Sequence, residues 1–380
     1  MTAGPDAVNL TLLVGPVVPL PAPRWVVDSL TDVTVNATAV PGQDSGFELT
    51  FTLDKNSALP TIFLLAGGTI PPIFRVVVMV TMGGLPEVLI DGMMTQTQLQ
   101  PGGDGKRSTF TVKGVDLSAA MGFIDFTGFP FPAMPVEARV LLIVAKYAFL
   151  GLIPVVVPSI VPEVPNPLDR IPAQQGTDLA YLRRLADRTG YIFTIIPGPV
   201  PGTSFAYWGP EAKIGLVQPA LNVDMDALTN VQSLSFTFEG EKATLPVIFL
   251  QNQETRVIFP IPIPNVSPLN PPLGLVPPIP KRVRFLRDTA KLSIPQAILL
   301  GLAKASRTSD VVKATGALDV LRYGRVLKPR GLVGVRGAGL AFDGLYFVQQ
   351  VQHIIKRGAF EQRFTLVRNG LISTLPVVPV

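Results

Sequence analysis

Apolar and polar residues alternate with a period of two along several stretches of the chain, the signature of strands with one buried face. Val33, Val35 and Ala37 alternate with Thr34, Asn36 and Thr38, and Phe47 to Leu53 continues the alternation after a Pro-Gly turn. Arg75 to Met82 is a strongly β-prone run. Gly92 to Gln100 leads into Pro101-Gly-Gly-Asp-Gly105, from which Ser108 to Gly114 emerges, so this pair reads as a hairpin. Residues 24–118 as a whole read as β. The end of the chain repeats the pattern: Leu345 to Ile355 runs into Lys356-Arg-Gly358, and Gln362 to Gly370 follows. Phe110-Thr-Val and Phe364-Thr-Leu hold corresponding places. The pattern therefore predicts two related antiparallel β-barrels, residues 1–120 and 221–380. A generic likeness between hairpins is the alternative reading.

Between them the period changes. Pro135 starts a helix over 136–150 with Val140, Leu141, Val144 and Tyr147 on one face. Thr177 caps a second helix, with Asp178 in its first turn, Arg188 in its last and Gly190 as its stop; its apolar stripe is Leu179, Leu182, Leu185 and Ala186. A strand over 191–196 and Phe205-Ala-Tyr-Trp-Gly209 follow. Residues 121–220 are thus expected to form a mixed α/β middle domain. A third helix is expected over 294–307, capped by Ser293.

Composition narrows the chemistry. The 380 residues include 39 prolines and 34 glycines, which favour turns and extended segments over long helices. There is no cysteine and only one histidine, His353, so disulfides, thiol nucleophiles and Cys/His zinc sites are excluded. No metal and no cofactor is expected. Charged residues make up 16% and hydrophobic ones 47%, which suggests a surface largely covered by other subunits. From Lys281 to Arg368, 17 basic residues face five acidic ones, while the rest of the chain is net acidic. Two clusters stand out: Lys281, Arg282, Arg284 and Arg287, and Arg322, Arg325, Lys328 and Arg330. They are the candidate interface or lumen-facing residues. Neither cluster has the interleaved aromatics of a single-strand nucleic-acid platform, so no specific nucleic acid is expected.

Three runs carry no charge: Ala7–Pro23, Tyr147–Pro162 and Val257–Pro280. The first lacks a basic n-region and is broken by Pro16, Pro19 and Pro21, so no signal peptide is expected. The last has too many prolines for a membrane helix. It reads as an extended arm, about 256–282, that interrupts the second barrel and docks on another surface; membrane contact is a minor reading. No catalytic residue emerges. His353 lies in an alternating strand beside Gln350 and Gln352, as a structural or lumen-facing imidazole. Asp187 falls on a polar helix face. Asp116, Glu137 and Asp169 show no spacing suited to a glycosidase pair. Gly337-Ala-Gly339 lacks a third glycine at Phe342, so the dinucleotide fingerprint fails. Trp25, Trp208, Met93 and Met94 read as packing.

Three blocks resemble the phage late control D family, the hub component of contractile tails, which is related to the N-terminal part of VgrG spike proteins. They are Thr177-Asp-Leu-Ala-Tyr-Leu-Arg-Arg-Leu-Ala through Phe193, Gly316 through Val335, and Gly344-Leu-Tyr-Phe-Val with Phe364-Thr-Leu-Val-Arg-Asn369. They occur in the family's order. The resemblance implies a non-enzymatic homotrimer that adapts a six-fold tail tube to a three-fold spike: two barrels per chain and three chains make six similar positions. It also implies a separate spike protein, an inner tube ring protein and other baseplate components as partners, with cargo in the lumen, and assembly in the bacterial cytoplasm into a tail or injection particle. A tail-associated cell-wall hydrolase and a membrane-binding module using the proline-rich arm are the alternatives.

Overall fold

A computed structural model describes residues 8–375 except 55–56, 68–72, 104–106, 160–163, 169–170, 252–257, 265–266 and 287–293. Arg287, Asp169 and Ser293 therefore lie outside the described residues. The first part of the chain forms β1 (Asn9–Pro16), β2 (Leu20–Pro21), helix α1 (Arg24–Ser29), β3 (Leu30–Thr38), β4 (Gly46–Leu53), α2 (Leu59–Gly67), β5 (Phe74–Met82), β6 (Leu85–Gln100) and β7 (Ser108–Asp116). Alternation sets their faces: along β4 every second residue, Phe47, Leu49, Phe51 and Leu53, is buried. The two short helices depart from the expectation that 24–118 is all β. α2 is apolar and packs Leu59 and Phe63 beneath the sheet, Phe63 meeting Phe51, Phe74 and Phe110.

The middle region carries α3 (Val136–Ala145), β8 (Leu152–Val156), α4 (Asp178–Thr189), β9 (Tyr191–Pro197) and β10 (Ser204–Pro210). Its three strands pair in the order β8-β10-β9. α4 forms as its caps predict. The Thr177 hydroxyl accepts from the Ala180 amide, and Gly190 closes the helix at φ 74°, a left-handed conformation that favours glycine. α3 is shorter than expected, and Leu141 lies exposed instead of on its buried face. Arg139 takes the interior side because its guanidinium donates to the Tyr181 hydroxyl at 2.9 Å.

The last part forms β11 (Val217–Asn222), β12 (Val231–Phe238), β13 (Thr244–Gln251), β14 (Ile258–Pro262), β15 (Gly274–Val276), β16 (Arg282–Phe285), α5 (Ile294–Thr308), β17 (Val312–Asp319), α6 (Val320–Tyr323), β18 (Leu332–Arg336), β19 (Gly344–Lys356), β20 (Ala359–Arg368) and β21 (Leu371–Ser373). Six of these strands repeat the arrangement of six earlier ones. The first set is bonded in the order β3-β4-β7-β6-β5-β1, the second in the order β12-β17-β20-β19-β18-β11. Counted by place in the chain within each set, both orders are 2-3-6-5-4-1. Both second strands carry a bulge, at Thr31 and Gln232. Both fifth strands carry one too, at Thr95 and Gln349. A helix links the third strand to the fourth in each set, α2 in one and α6 in the other.

The two sets are joined directly as well as through the middle region. β19 has 13 residues and β18 only five, so the outer half of β19 extends past its neighbour. That half, Gln350 to Lys356, pairs antiparallel with Thr38 to Asp32 of β3. The result is one 13-stranded open sheet with a shared core from both sets.

The proline-rich arm is built into its own chain. β14 and β16 flank β13 in a small sheet, α5 packs on it, and Ile248, Ile263, Ala297 and Ala305 form the core of this module. Pro260 and Pro262 sit on the edge strand β14, where the missing amides cost least. β15 pairs with β21, and Leu273 is buried beside Leu332 and Phe347.

Candidate functional site

Eight strands, β12-β17-β20-β19-β3-β4-β7-β6, run as one uninterrupted antiparallel path. One face of that path is buried. The other is polar across its whole width, because residues opposite one another share a face. Ser235 faces Thr315, Thr315 faces Thr365 and Thr365 faces Gln350. Gln352 faces Asn36 across the join, Thr34 faces Glu48, Thr50 faces Thr111, and Thr111 faces Gln98. Hydroxyls and amides thus predominate. Most of the charges are paired at the surface: Lys113 with Glu48 at 3.0 Å, Lys356 with Asp32 at 3.5 Å and Arg363 with Glu361 at 2.9 Å. The face curves into an open groove of about 600 Å³ lined by Asn36, Ser235, Thr315, Gln350, Gln352 and Arg363 among others. The face thus presents mostly neutral hydrogen-bonding groups, with exposed ion pairs of small energy and no large apolar patch.

The basic clusters lie elsewhere. Lys281, Arg282 and Arg284 are exposed at β16 in the arm module, where Arg282 is 3.9 Å from Glu241. Arg322 and Arg325 are exposed on and after α6, and Lys328 reaches Glu87 at 2.8 Å. Arg330 sits at a three-way junction: its guanidinium donates to the Thr194 hydroxyl at 3.0 Å and the Thr38 carbonyl at 3.4 Å. It thereby ties the second set of strands to the middle domain and to β3. None of these seven lies on the eight-strand face. The structural signal for that face was the Thr, Ser and Gln content of the polar phase of each strand.

The groups weighed for catalysis are engaged in structure. His353 is buried on the core side of β19, its Nδ1 3.0 Å from the Gln362 amide nitrogen, and burial pulls it down to about 3, so it is neutral. Gln362 in turn exchanges hydrogen bonds with the Leu327 backbone, both at 2.9 Å. Asp116 accepts from the Ser45 and Ser118 amides at 3.0 Å, and burial pushes it up to about 6. Asp178 is fully buried and held by Tyr147, Gln174 and Lys146. Glu137 accepts from the Ser159 amide at 2.9 Å. Asp187 faces Arg307 and Lys304 of α5. Asp91, His353, Asp116 and Arg330 line a cavity of about 320 Å³ between the two strand sets and the middle domain. Asp91 is there in a buried pair with Arg75, 2.6 and 2.7 Å, and burial raises its carboxyl. Among the described residues no group of three or more His, Asp or Glu is placed to hold a metal ion. Among the described residues no helix is long and apolar enough to cross a membrane. Trp208 is fully buried against Tyr191, whereas Trp25 stays about half exposed.

The doubled strand order and the mixed α/β region between the two sets define the fold class: this is the fold of phage tail proteins, shared with part of a VgrG complex. The tail protein from Neisseria meningitidis MC58 superposes with a TM-score of 0.64 at 10% identity, over 96% of this chain and 98% of that one. The 43 kDa tail protein of prophage MuSo2 from Shewanella oneidensis gives 0.63 at 14% identity, over 96% and 99%. The Francisella PdpA-VgrG complex gives 0.56 at 8% identity, over 98% of this chain and 55% of that one. No protein-family model matches the sequence, and no curated protein does.

Proposed function

We propose that the chain is the structural hub of a contractile tail or injection particle, a homotrimer that adapts the six-fold tail tube to the three-fold spike. The observation that supports this reading is the repetition of one strand order in two sets joined side by side. Each chain then supplies two similar stations around an axis, so three chains present six to a tube ring and three to a spike. The polar eight-strand face is the lumen wall, and tail components or cargo pass along it. The basic residues Lys281, Arg282, Arg284, Arg322, Arg325 and Lys328 serve as contacts to neighbouring baseplate subunits, the tube ring protein and a separate spike protein. The role is non-enzymatic and is exercised inside the assembled particle. Native mass measurement of the purified chain, together with a reconstruction of particles containing it, tests the reading. Three copies around one axis at the end of the tube are expected; a stable monomer, or particles without the chain, would overturn it.

A further inference from the structure

The middle region holds a cavity of about 390 Å³ lined by no residue of the polar face or of the two basic clusters. α3 supplies Arg139 to its wall, α4 supplies Tyr181, Arg184, Leu185 and Arg188, and residues 171–175 and α5 of the arm module close it. The wall has two characters. Val136, Ile171, Leu185 and Leu299 make one part apolar, while another carries three arginines and, among the described residues, no carboxylate.

Arg139 is the unusual member, for it is only 6% exposed. Its Nη1 donates to the Tyr181 hydroxyl at 2.9 Å and its Nε to the Pro135 carbonyl at 3.5 Å, both of them neutral acceptors. Among the described residues its Nη2 donates to nothing. The acidic groups of the surrounding helices are committed elsewhere. Glu137 accepts from the amide and hydroxyl of Ser159, and it feels the charge of Arg139 without forming an ion pair with it. Asp178 is held by Tyr147, Gln174 and Lys146, and Asp187 faces Lys304 and Arg307. Arg184 donates to the side chain and carbonyl of Gln175, and Arg188 is exposed one turn further along α4. A guanidinium keeps its proton, and burying one without a counter-charge is costly. An anion from outside the chain would offset that cost.

We propose that this cavity binds an organic carboxylate with an apolar body. The carboxylate takes the free Nη2 and the second hydrogen of Nη1 on Arg139, with Arg188 adding to the attraction. The body lies against Leu185, Ile171 and Leu299. The volume exceeds what an anionic head alone fills, since a water molecule takes about 30 Å³. A single buried guanidinium also matches one negative charge better than the two of a phosphate. The same chemistry recognises a small free acid or the end of an apolar peptide. Because the walls come from α3, α4 and α5, the occupant ties the arm module to the middle region. The site rests on this cavity alone and not on the hub reading.

Isothermal titration of the full chain with 4-phenylbutyrate, with acetyl-Leu-Phe and with acetyl-Leu-Phe amide tests the proposal. Saturable binding with a Kd below about 1 mM is expected for the acids, and binding about tenfold weaker or worse for the amide. Arg139→Gln is expected to weaken the acids by about tenfold or more, and Arg188→Gln by a few-fold. If Arg139→Gln fails to fold, Arg139→Lys keeps the charge without the fork and is expected to retain only part of the affinity. A tighter peptide acid assigns the site to a chain end and a tighter phenylbutyrate to a small acid; either supports the carboxylate. Equal affinity for acid and amide, or acids indifferent to both arginine positions, would overturn the proposal. Inorganic phosphate binding as tightly as the acids would overturn the apolar body. Absence of binding to the unaltered chain would overturn an external ligand. Binding that emerges only after Glu163→Gln with Asp169→Asn would do the same, by showing that the chain supplies its own carboxylate.

Discussion

The two six-strand sets share an order, the bulges of their second and fifth strands and a helix position, yet they differ at several buried places that the shared geometry makes equivalent. Positions related through the bulges of β6 and β19 make this concrete. Arg75 and Asp91, a buried ion pair in the first set, correspond to Leu332 and Leu345, which pack with Phe347 and Val367 in the second. Gly114 corresponds to the buried Leu366. A Cβ at Gly114 would lie 2.2 Å from the Met93 carbonyl and 2.3 Å from the Phe47 ring, so that ring fills the space a side chain would need. The first strands differ in direction: β1 runs antiparallel to β5, β11 parallel to β18. Residues 39–45 make a tight link between β3 and β4, while 239–311 hold the whole arm module between β12 and β17. What the sets keep is main-chain hydrogen bonding and the alternation of faces. What they vary is how the buried side is filled, which tolerates any combination of matching volume and satisfied polar groups.

The comparison can be broken most forcefully at the ion pair. Arg75→Leu leaves Asp91 buried without its partner, and a loss of about 3–5 kcal/mol is expected in denaturant titrations. Arg75→Leu with Asp91→Leu imitates the second set and is expected to recover most of that loss; a double variant as unstable as the single would refute the equivalence. Arg75 also donates to the carbonyls of Val17 and Gly202, so recovery is expected to be incomplete.

Next in size is the core exchange. Leu366→Ala opens a cavity in the second set and is expected to cost about 2–5 kcal/mol. Gly114→Ala overpacks the first set and is expected to cost about 1–3 kcal/mol. Phe47→Leu in the Gly114→Ala background relieves the ring contact but not the Met93 carbonyl, so only part of the loss returns. Full additivity in the double-mutant cycle would contradict the proposed competition for space.

Acid sharpens the comparison further, because His353 stands where the first set has Leu99. With a folded value near 3 against an ordinary 6.5, His353 binds its proton more readily when unfolded. Its contribution is present above about pH 6.5 and lost as the pH falls toward 3, on the order of several kcal/mol. Asp116 acts in the opposite sense. Its value near 6 against 3.8 means that its contribution is full below about pH 4 and is lost as the pH rises through 6. His353→Leu should therefore flatten or reverse the fall in stability between pH 6.5 and pH 4, measured by thermal melts across that range. An unchanged profile would show that His353 is not the responsible group. The smallest effect is expected at the polar face: Lys113→Ala breaks a pair whose members are each more than two-fifths exposed, and less than about 1 kcal/mol should be lost.

Much of this architecture was legible in the residues. β3, β4, β7, β19 and β20 follow from strict alternation, and α4 from Thr177 and Gly190, because local sterics and capping act over a few residues. The doubling was legible only faintly. Phe110 and Phe364 do lie in corresponding last strands, but counted from the bulges they are two residues out of step, Phe110 three before Lys113 and Phe364 one before Thr365. Substitutions such as Arg75 for leucine erase the likeness in sequence while leaving it in the backbone. The polar face was distributed over eight strands, two residues apart in each, and no local window contains it.

Alternation, prolines and caps, all short-range, thus determined which segments extend, which coil and which side of each is wet. Only the tertiary structure decided that β19 outreaches β18 and takes up β3, that the arm folds back onto α5 and β21, and that Arg330 serves a junction while Gln350 and Gln352 face the groove. Those outcomes depend on strand lengths and on partners hundreds of residues apart, whose pairing is selected by the sum of many weak contacts and not by any residue alone.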